Sequence, residues 1–484
     1  MRLSKLQQAA EFFNMNDLVQ AERLYKETIL SKPECGEAFL GMGRIALKVE
    51  QFDKAVTFLR KSCELLPNEA SPLIYLSEAF NGINFEADGL TALEYAKHQL
   101  PNNPYVHYHL GLQYILFGYL DKAEQSFSTV IKFTQDTLAS YALQELTRLN
   151  GNPKQYFTLL EERLKQAVPD SQESIVLLYA FGNVLDSVKN YSLAWEYFEQ
   201  ANLSQAKQNQ FQTSELNYFF QDIKITANAN VLSVQRELKE DNSLQEIIPI
   251  FILGLPRTGS TLLEQLLTDH QDISSAGEVP YLSRDVVNYL FSQTNLQYPY
   301  VMAEVSKQQM AIAAQVYLDK MSIHSKGNQY VIDKLPANFQ SIGLIYKLFP
   351  NAKVLHITRD LPDIALSIYR NNFSQNEPYF SSLDEFKQYH NLYTDLMLYW
   401  KVQLPKFIYE VSYEELVLDK TKIINDIYEC FGLPNQLEQP KVKDKIVKTL
   451  SNIQVRRPIN TKSIKSWHNY ADKLRLFTGS AYGD

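Results

Sequence analysis

Prolines fall at positions 33, 67 and 101, two successive steps of 34 residues. Other columns keep that step. Small residues recur at Ala9, Gly43, Ser77 and Gly111, and again at Ala21, Ala55, Gly89 and Ala123. Large apolar residues recur at Tyr25, Leu59, Leu93 and Phe127. A fixed period of this length constrains the fold more than any other feature of the chain. One supersecondary unit is copied, it cannot bury its apolar face alone, and each copy must stack on the next. The expected product is an all-α solenoid whose helices cross where the small columns lie.

The 34-residue unit resembles the tetratricopeptide repeat. The resemblance covers residues 1–135 clearly. Gly182, Ala194 and Phe198 keep the spacing of Gly43, Ala55 and Leu59, which predicts a further unit over 171–205. A diverged helix pair is expected between them, at 140–170. The array, 1–205, has no residues in a catalytic pattern, and its tyrosines and phenylalanines fall at core spacing. Arrays of this kind present a concave surface, so a protein or peptide partner is expected. A structural platform, including a homodimerising one, is the alternative. Residues 206–245 are polar and helix-favouring and read as a helical linker.

From 246 the pattern changes. IIPIFILG (247–254) is a continuous apolar run suited to a strand buried on both faces. DISS (272–275), YVID (330–333), KVLHIT (353–358) and KFIYEVS (406–412) are further strand candidates. Helical stretches at 279–293, 305–322, 339–348 and 361–372 separate them. Strand–helix alternation predicts a parallel sheet covered on both faces, an α/β domain over 246–484. Ligands on such sheets bind beyond the carboxyl ends of the strands.

Charge and cysteine usage narrow the partners. The net charge of −8 argues against a general nucleic-acid binder. Residues 441–484 nevertheless hold ten Lys and Arg against three Asp, a local +7 that suits a small anion or a solvated face. The three cysteines, Cys35, Cys63 and Cys430, form no C-x-x-C pair. Sparse, unpaired cysteines suit a reducing compartment. No apolar run reaches the length of a signal peptide or a membrane span. A soluble cytoplasmic protein, with no membrane partner, is the expectation.

Five features gather at the predicted strand ends. Gly254-Leu-Pro-Arg-Thr-Gly259-Ser-Thr follows the first strand and fits the phosphate-loop pattern except at one position. Ser260 stands where that pattern has lysine. Glycines allow the tight turn, loop N–H groups and the helix N-terminus favour an anion, and Arg257 offers a planar fork to oxygens. Without the lysine, a donor less charged than a triphosphate and needing no metal fits better. Arg359 ends the strand KVLHIT and Ser367 follows eight residues later, a candidate grip for a second phosphate. Glu278 in SSAGEVP is a candidate general base or a first-turn helix acid. Lys334 in YVIDKLP precedes a helix, where a cation is electrostatically unfavourable, which points to function. Its sequence neighbour Asp333 is its expected partner. The basic stretch SNIQVRRPINTKSIKSW (451–467) reads as a loop able to close on an anion.

Together these motifs resemble the sulfotransferases that use 3′-phosphoadenosine 5′-phosphosulfate (PAPS). The nearest resemblance is to protein-tyrosine sulfotransferases and to bacterial-type proteins joining tetratricopeptide repeats to a sulfotransferase domain. The resemblance covers about 247–475 and the repeats. It implies that Arg257, Thr258, Gly259, Ser260 and Thr261 bind the 5′-phosphosulfate, and that Arg359 and Ser367 bind the 3′-phosphate. It implies Glu278 as base, Lys334 on the sulfuryl group and bridging oxygen, Arg257 with Lys334 stabilising the leaving phosphate, and Ser451 as a nucleotide contact. The family has Lys or Arg before the tryptophan of SIKSW, whereas this chain has Ser466. Arg457, Lys462 and Lys465 are the candidates for that 3′-phosphate contact.

The implied reaction is in-line sulfuryl transfer to an acceptor hydroxyl, catalysed by positioning and electrostatics without metal. A protein tyrosine, a saccharide and a small hydroxylated metabolite all remain open as acceptors. His356 lies inside a strand and reads as packed core. His270 ends the first helix, so Glu278 is the preferred base. An NTP-dependent kinase or hydrolase with an altered loop, and a non-catalytic repeat scaffold, are the competing readings.

Overall fold

The computed structural model describes residues 4–149, 152–208, 213–237, 247–373, 378–433, 459 and 461–478. The chain divides into two compact units with the cut after Ala167.

The first unit is helical. Antiparallel pairs such as Gly36–Lys48 with Phe52–Leu65, and Pro104–Phe117 with Leu120–Phe133, follow one another. The sequence columns explain the packing. A Cβ built on Gly43 would lie 2.5 Å from Leu59 Cγ, and one on Gly111 would lie 2.6 Å from Phe127. The small column is therefore the seat of the large column in the paired helix. Ala21, Ala55 and Ala123 are fully buried for the same reason.

Among the described residues the second unit holds five strands: β1 (Ile248–Gly254), β2 (Ile273–Gly277), β3 (Tyr330–Lys334), β4 (Lys353–Thr358) and β5 (Ile408–Ser412). All pairings are parallel and the order is β2-β3-β1-β4-β5. β1 is central, and Ile250 to Gly254 read buried throughout, as its unbroken apolar run requires. One face packs Ile250, Ile252, Ile332, Leu355 and Ile357 against Leu263 and Leu267. On the other face Phe251 meets Tyr317 and Phe349.

Two further pieces belong to this unit. The helix pair Gln172–Ser187 and Tyr191–Ala206 repeats the array's packing, with Gly182 seated on Phe198. Helix Thr213–Thr226 lies along helix Leu383–Gln403, where Tyr399 Oη donates to the carbonyls of Lys224 (2.8 Å) and Ala227 (2.7 Å). No described helix is long and apolar enough to cross a membrane.

Candidate functional site

Strand order fixes where the site lies. The chain leaves β1 toward β2 on one edge and leaves β4 toward β5 on the other. The loops after these adjacent strands diverge, and a crevice opens at their carboxyl ends.

The loop after β1 turns on three residues with positive φ: Gly254 (+146°), Arg257 (+68°) and Gly259 (+99°). A Cβ on Gly254 would lie 2.6 Å from the Ile357 carbonyl oxygen, and one on Gly259 would lie 2.3 Å from Tyr413 Cδ2. Only glycine fits either place. Arg257 adopts the left-handed conformation with a full side chain, which costs about 1–2 kcal/mol. Two contacts hold it there. Arg359 Nη1 donates to the Arg257 carbonyl (2.9 Å), and Arg257 Nε donates to Ser367 Oγ (2.9 Å). Residues from opposite sides of the crevice are thus joined directly.

Thr258 Oγ1 donates to the Leu255 carbonyl (2.7 Å) and closes the loop from within. Its hydroxyl shapes the turn, which leaves its backbone N–H as the group able to meet a ligand. Ser260 and Thr261 open helix Ser260–Leu267, whose N-cap Gly259 offers no side-chain acceptor. Such an N-terminus favours an anion.

Arg359 is more than a second cation. Its Nη2 donates to the Ser463 carbonyl (2.6 Å), and its guanidinium lies 4.5 Å over the Tyr413 ring. Burial pulls its pKa below the ordinary value. Arginine still stays charged in proteins. Its Nε is buried with no acceptor among the described residues. Leaving such a donor unpaired costs about 1–3 kcal/mol, and an oxyanion is the partner that would remove the cost.

At the ends of β2 and β3 lies the second half of the site. Lys334, 1% exposed, donates to Glu278 Oε1 (2.5 Å), while Glu278 is 39% exposed. Lys334 Nζ also lies 3.8 Å from Glu264 Oε2. Glu264 accepts from Ser275 Oγ (2.5 Å), and that oxygen in turn takes the Gly277 N–H (3.0 Å). Gly277, at φ +73°, turns the chain into Glu278. Glu264 stands one helical turn after Ser260, so the β1 loop and the Glu278–Lys334 pair share one site.

Asp333 is not the partner of Lys334. Successive residues of a strand point to opposite faces. Asp333 is fully buried on the other face, where it accepts from Tyr317 Oη (2.8 Å) and Asn338 Nδ2 (3.0 Å). Burial pushes its carboxyl up to about 7. His356 is buried between Glu410 (3.2 Å) and Tyr393 (2.5 Å). His270 is buried against Tyr428, with Nδ1 accepting the Asp272 N–H (3.2 Å).

The basic tail is described in part. Ser451 and Arg457 lie outside the described residues, as does the side chain of Lys462. Lys465 sits in the left-handed region with its side chain exposed. Asp363 fastens this stretch by accepting from Lys465 N (2.7 Å), Ser466 Oγ (2.8 Å) and Trp467 N (3.1 Å). Trp467 Nε1 donates to Asp360 (2.9 Å). Ser466 therefore serves as an anchor where a cation was the expected residue. Glu264, Ser275, Tyr413 and Asp363 escaped the sequence reading. Only Glu264 left a signal, its helical spacing from Ser260.

An open parallel α/β domain with these groups beyond its strand ends defines the class. Residues 249–437 match the model of the Sulfotransferase family. An uncharacterized protein of Aquifex aeolicus (strain VF5) is 28% identical over 373 residues, which are 74% of this chain and 47% of the relative. The protein-tyrosine sulfotransferase of Drosophila melanogaster is 24% identical over 271 residues, 49% of this chain and 52% of the relative. The chain spans about half the length of these curated relatives. Among solved structures, the sulfotransferase domain of the Synechococcus PCC 7002 olefin synthase aligns with a TM-score of 0.34 and 19% identity. That alignment covers 50% of this chain and 99% of the other.

Proposed function

We propose that the protein transfers a sulfuryl group from PAPS to an acceptor hydroxyl. The observation that carries this reading is the buried Lys334 ammonium joined to half-exposed Glu278 and reached by Glu264 from the β1 loop helix. A base and a cation are thereby fixed side by side next to an anion-directed loop.

Bound PAPS supplies the sulfuryl group. The β1 loop, through Arg257 and the N–H groups of Thr258 to Thr261, holds the 5′ end. Ser367 and Arg359, whose Nε has no acceptor among the described residues, hold the 3′-phosphate. Glu278 takes the proton of the acceptor hydroxyl as its oxygen attacks. Lys334 and Arg257 face the charge that grows on the leaving oxygen, and need no reorganisation to do so. The sulfuryl group carries less charge than a terminal phosphate, so no metal clamp is needed. The relatives named protein-tyrosine sulfotransferase make a tyrosine peptide the first acceptor to test, with a saccharide and a small hydroxylated compound beside it. The repeats hold or recruit the acceptor or a partner protein. Three free cysteines fit a cytoplasmic setting.

Labelled sulfate transfer from PAPS to these acceptors tests the reading. Wild type is expected to transfer to at least one of them, and Glu278→Gln to lose about 10²–10⁴-fold. A fully active Gln variant would remove Glu278 as the base. Magnesium-dependent ATP turnover without sulfate transfer would overturn the reading as a whole.

A further inference from the structure

The helix pair Gln172–Ser187 and Tyr191–Ala206 packs like a repeat, yet it carries carboxamides, Asn183, Asn202 and Gln205, at places where the 34-residue repeats have none. Asn202 Nδ2 donates to the Tyr369 carbonyl (2.7 Å), Gln205 Nε2 to the Phe373 carbonyl (2.9 Å) and Asn183 Nδ2 to the Arg370 carbonyl (3.4 Å). The Tyr179 hydroxyl lies 2.8 Å from Asn202 Oδ1 and 3.1 Å from Gln205 Oε1. Its one proton can go to either amide oxygen, and both amides stand with their N–H groups toward those carbonyls. Trp195 stacks on the Tyr369 ring, with centroids 4.8 Å apart. Counted from Gly43 as these residues are counted from Gly182, the second repeat holds Leu40, Arg44, Cys63 and Leu66. No carboxamide stands at any of those places.

The receiving carbonyls belong to the end of helix Leu361–Tyr369 and the turn after it, where a helix leaves its last carbonyls without internal partners. Ser367 stands two residues before that end and takes Arg257 Nε. We propose that this helix pair is the rear support of the donor site, with Tyr179, Asn202 and Gln205 as positioning residues that set Ser367 and, through it, Arg257. The inference rests on the donor reading above. A nine-residue helix fixed at its end by three amides and a ring stack is rigid. A change at its end is therefore passed to Ser367 one half-turn away.

The test uses the full chain and adenosine 3′,5′-bisphosphate as probe, with calorimetric affinity and melting temperature read together. Tyr179→Phe keeps the ring and removes the orienting hydroxyl. It is expected to bind the probe about three- to tenfold more weakly. Asn202→Ala should do the same, and Tyr179→Phe carries the test if that variant fails to fold. Trp400→Phe, which loses an equally buried bond to the Phe339 carbonyl (2.9 Å) elsewhere in the unit, is the stability control and should bind like wild type. In a Ser367→Ala background the Tyr179→Phe effect should shrink, because both act through one contact. Unchanged affinity in Tyr179→Phe, or full additivity with Ser367→Ala, would overturn the inference. Wild type failing to bind the bisphosphate would instead overturn the donor reading, and this inference with it.

Discussion

Replacing Lys334 with methionine removes the ammonium held between Glu278 and Glu264 while keeping a long apolar stem. Lys334 is 1% exposed and Glu264 14%, so the change is made in a largely dry place. At an effective permittivity of about 20, the Coulomb attraction across the 3.8 Å to Glu264 is about 4 kcal/mol before desolvation. Breaking a buried pair by removing one partner costs about 3–5 kcal/mol, since the other charge is left without compensation. Glu278 is 39% exposed and can turn to water, which places the expectation at the lower end, near 3 kcal/mol. For a domain of this size that is a melting-temperature drop of about 6–12 °C. Adding Glu264→Gln removes the stranded charge and should restore at least half of the drop. On the proposed mechanism, sulfate transfer should stay about 10²–10³-fold down in both variants, because the charge on the leaving oxygen has lost one of its cations. Calorimetric melting and a transfer assay read the two effects separately. A single variant as stable as wild type would refute the buried-pair argument. A double variant that regained activity would refute the catalytic role of the ammonium.

Three more outcomes are expected. Gly259→Ala meets Tyr413 Cδ2 at 2.3 Å and a backbone at φ +99°, so it should lower the melting temperature and weaken nucleotide binding about tenfold or more, as read by calorimetry. Asp333 has a folded pKa of about 7 against an ordinary 3.8, so its contribution to stability is complete below about pH 4, falls by roughly 4 kcal/mol as pH rises to about 7, and is flat above; Asp333→Asn should flatten that slope in a pH series of thermal melts, and an unchanged slope would remove the group as its source. Asp363→Ala leaves Lys465 N, Ser466 Oγ and Trp467 N without their acceptor, so limited proteolysis should cut 461–478 faster than in wild type.

The strands were legible because burial on both faces imprints itself on composition. IIPIFILG is an apolar run with little other use, and the shorter, β-branched KVLHIT follows the same rule; they are β1 and β4. The repeat period was legible because a small residue must face a large one at every helix crossing. Helix Leu383–Gln403 went unnoticed because, although Phe386, Tyr389, Tyr393, Leu396 and Trp400 form one buried face, Leu398 and Val402 on its exposed side blur the polar face in the sequence. Asp333 shows a different limit. Adjacency in sequence suggested a pair with Lys334, but strand alternation sends the two side chains to opposite faces. Contacts such as Asp363 with Ser466, or Glu264 with Lys334, join residues 70 or more positions apart. No local pattern records them. The helix 279–293 expected from sequence begins instead with a π turn, Tyr281–Val286, before helix Val287–Thr294.

The amide-capped end of helix Leu361–Tyr369 bears on how chains of this design can be cut and recombined. A fragment excised at 246, where the apolar strand pattern begins, would open the Tyr369 and Phe373 carbonyls to water and strip the indole from Tyr369. A fragment begun at 168 would keep all of them. Exchange of one repeat array for another by recombination would therefore have to spare the last helix pair. A lineage that swapped arrays freely should show its crossovers upstream of that pair, so that Tyr179, Asn202 and Gln205 travel with the strands rather than with the repeats they imitate.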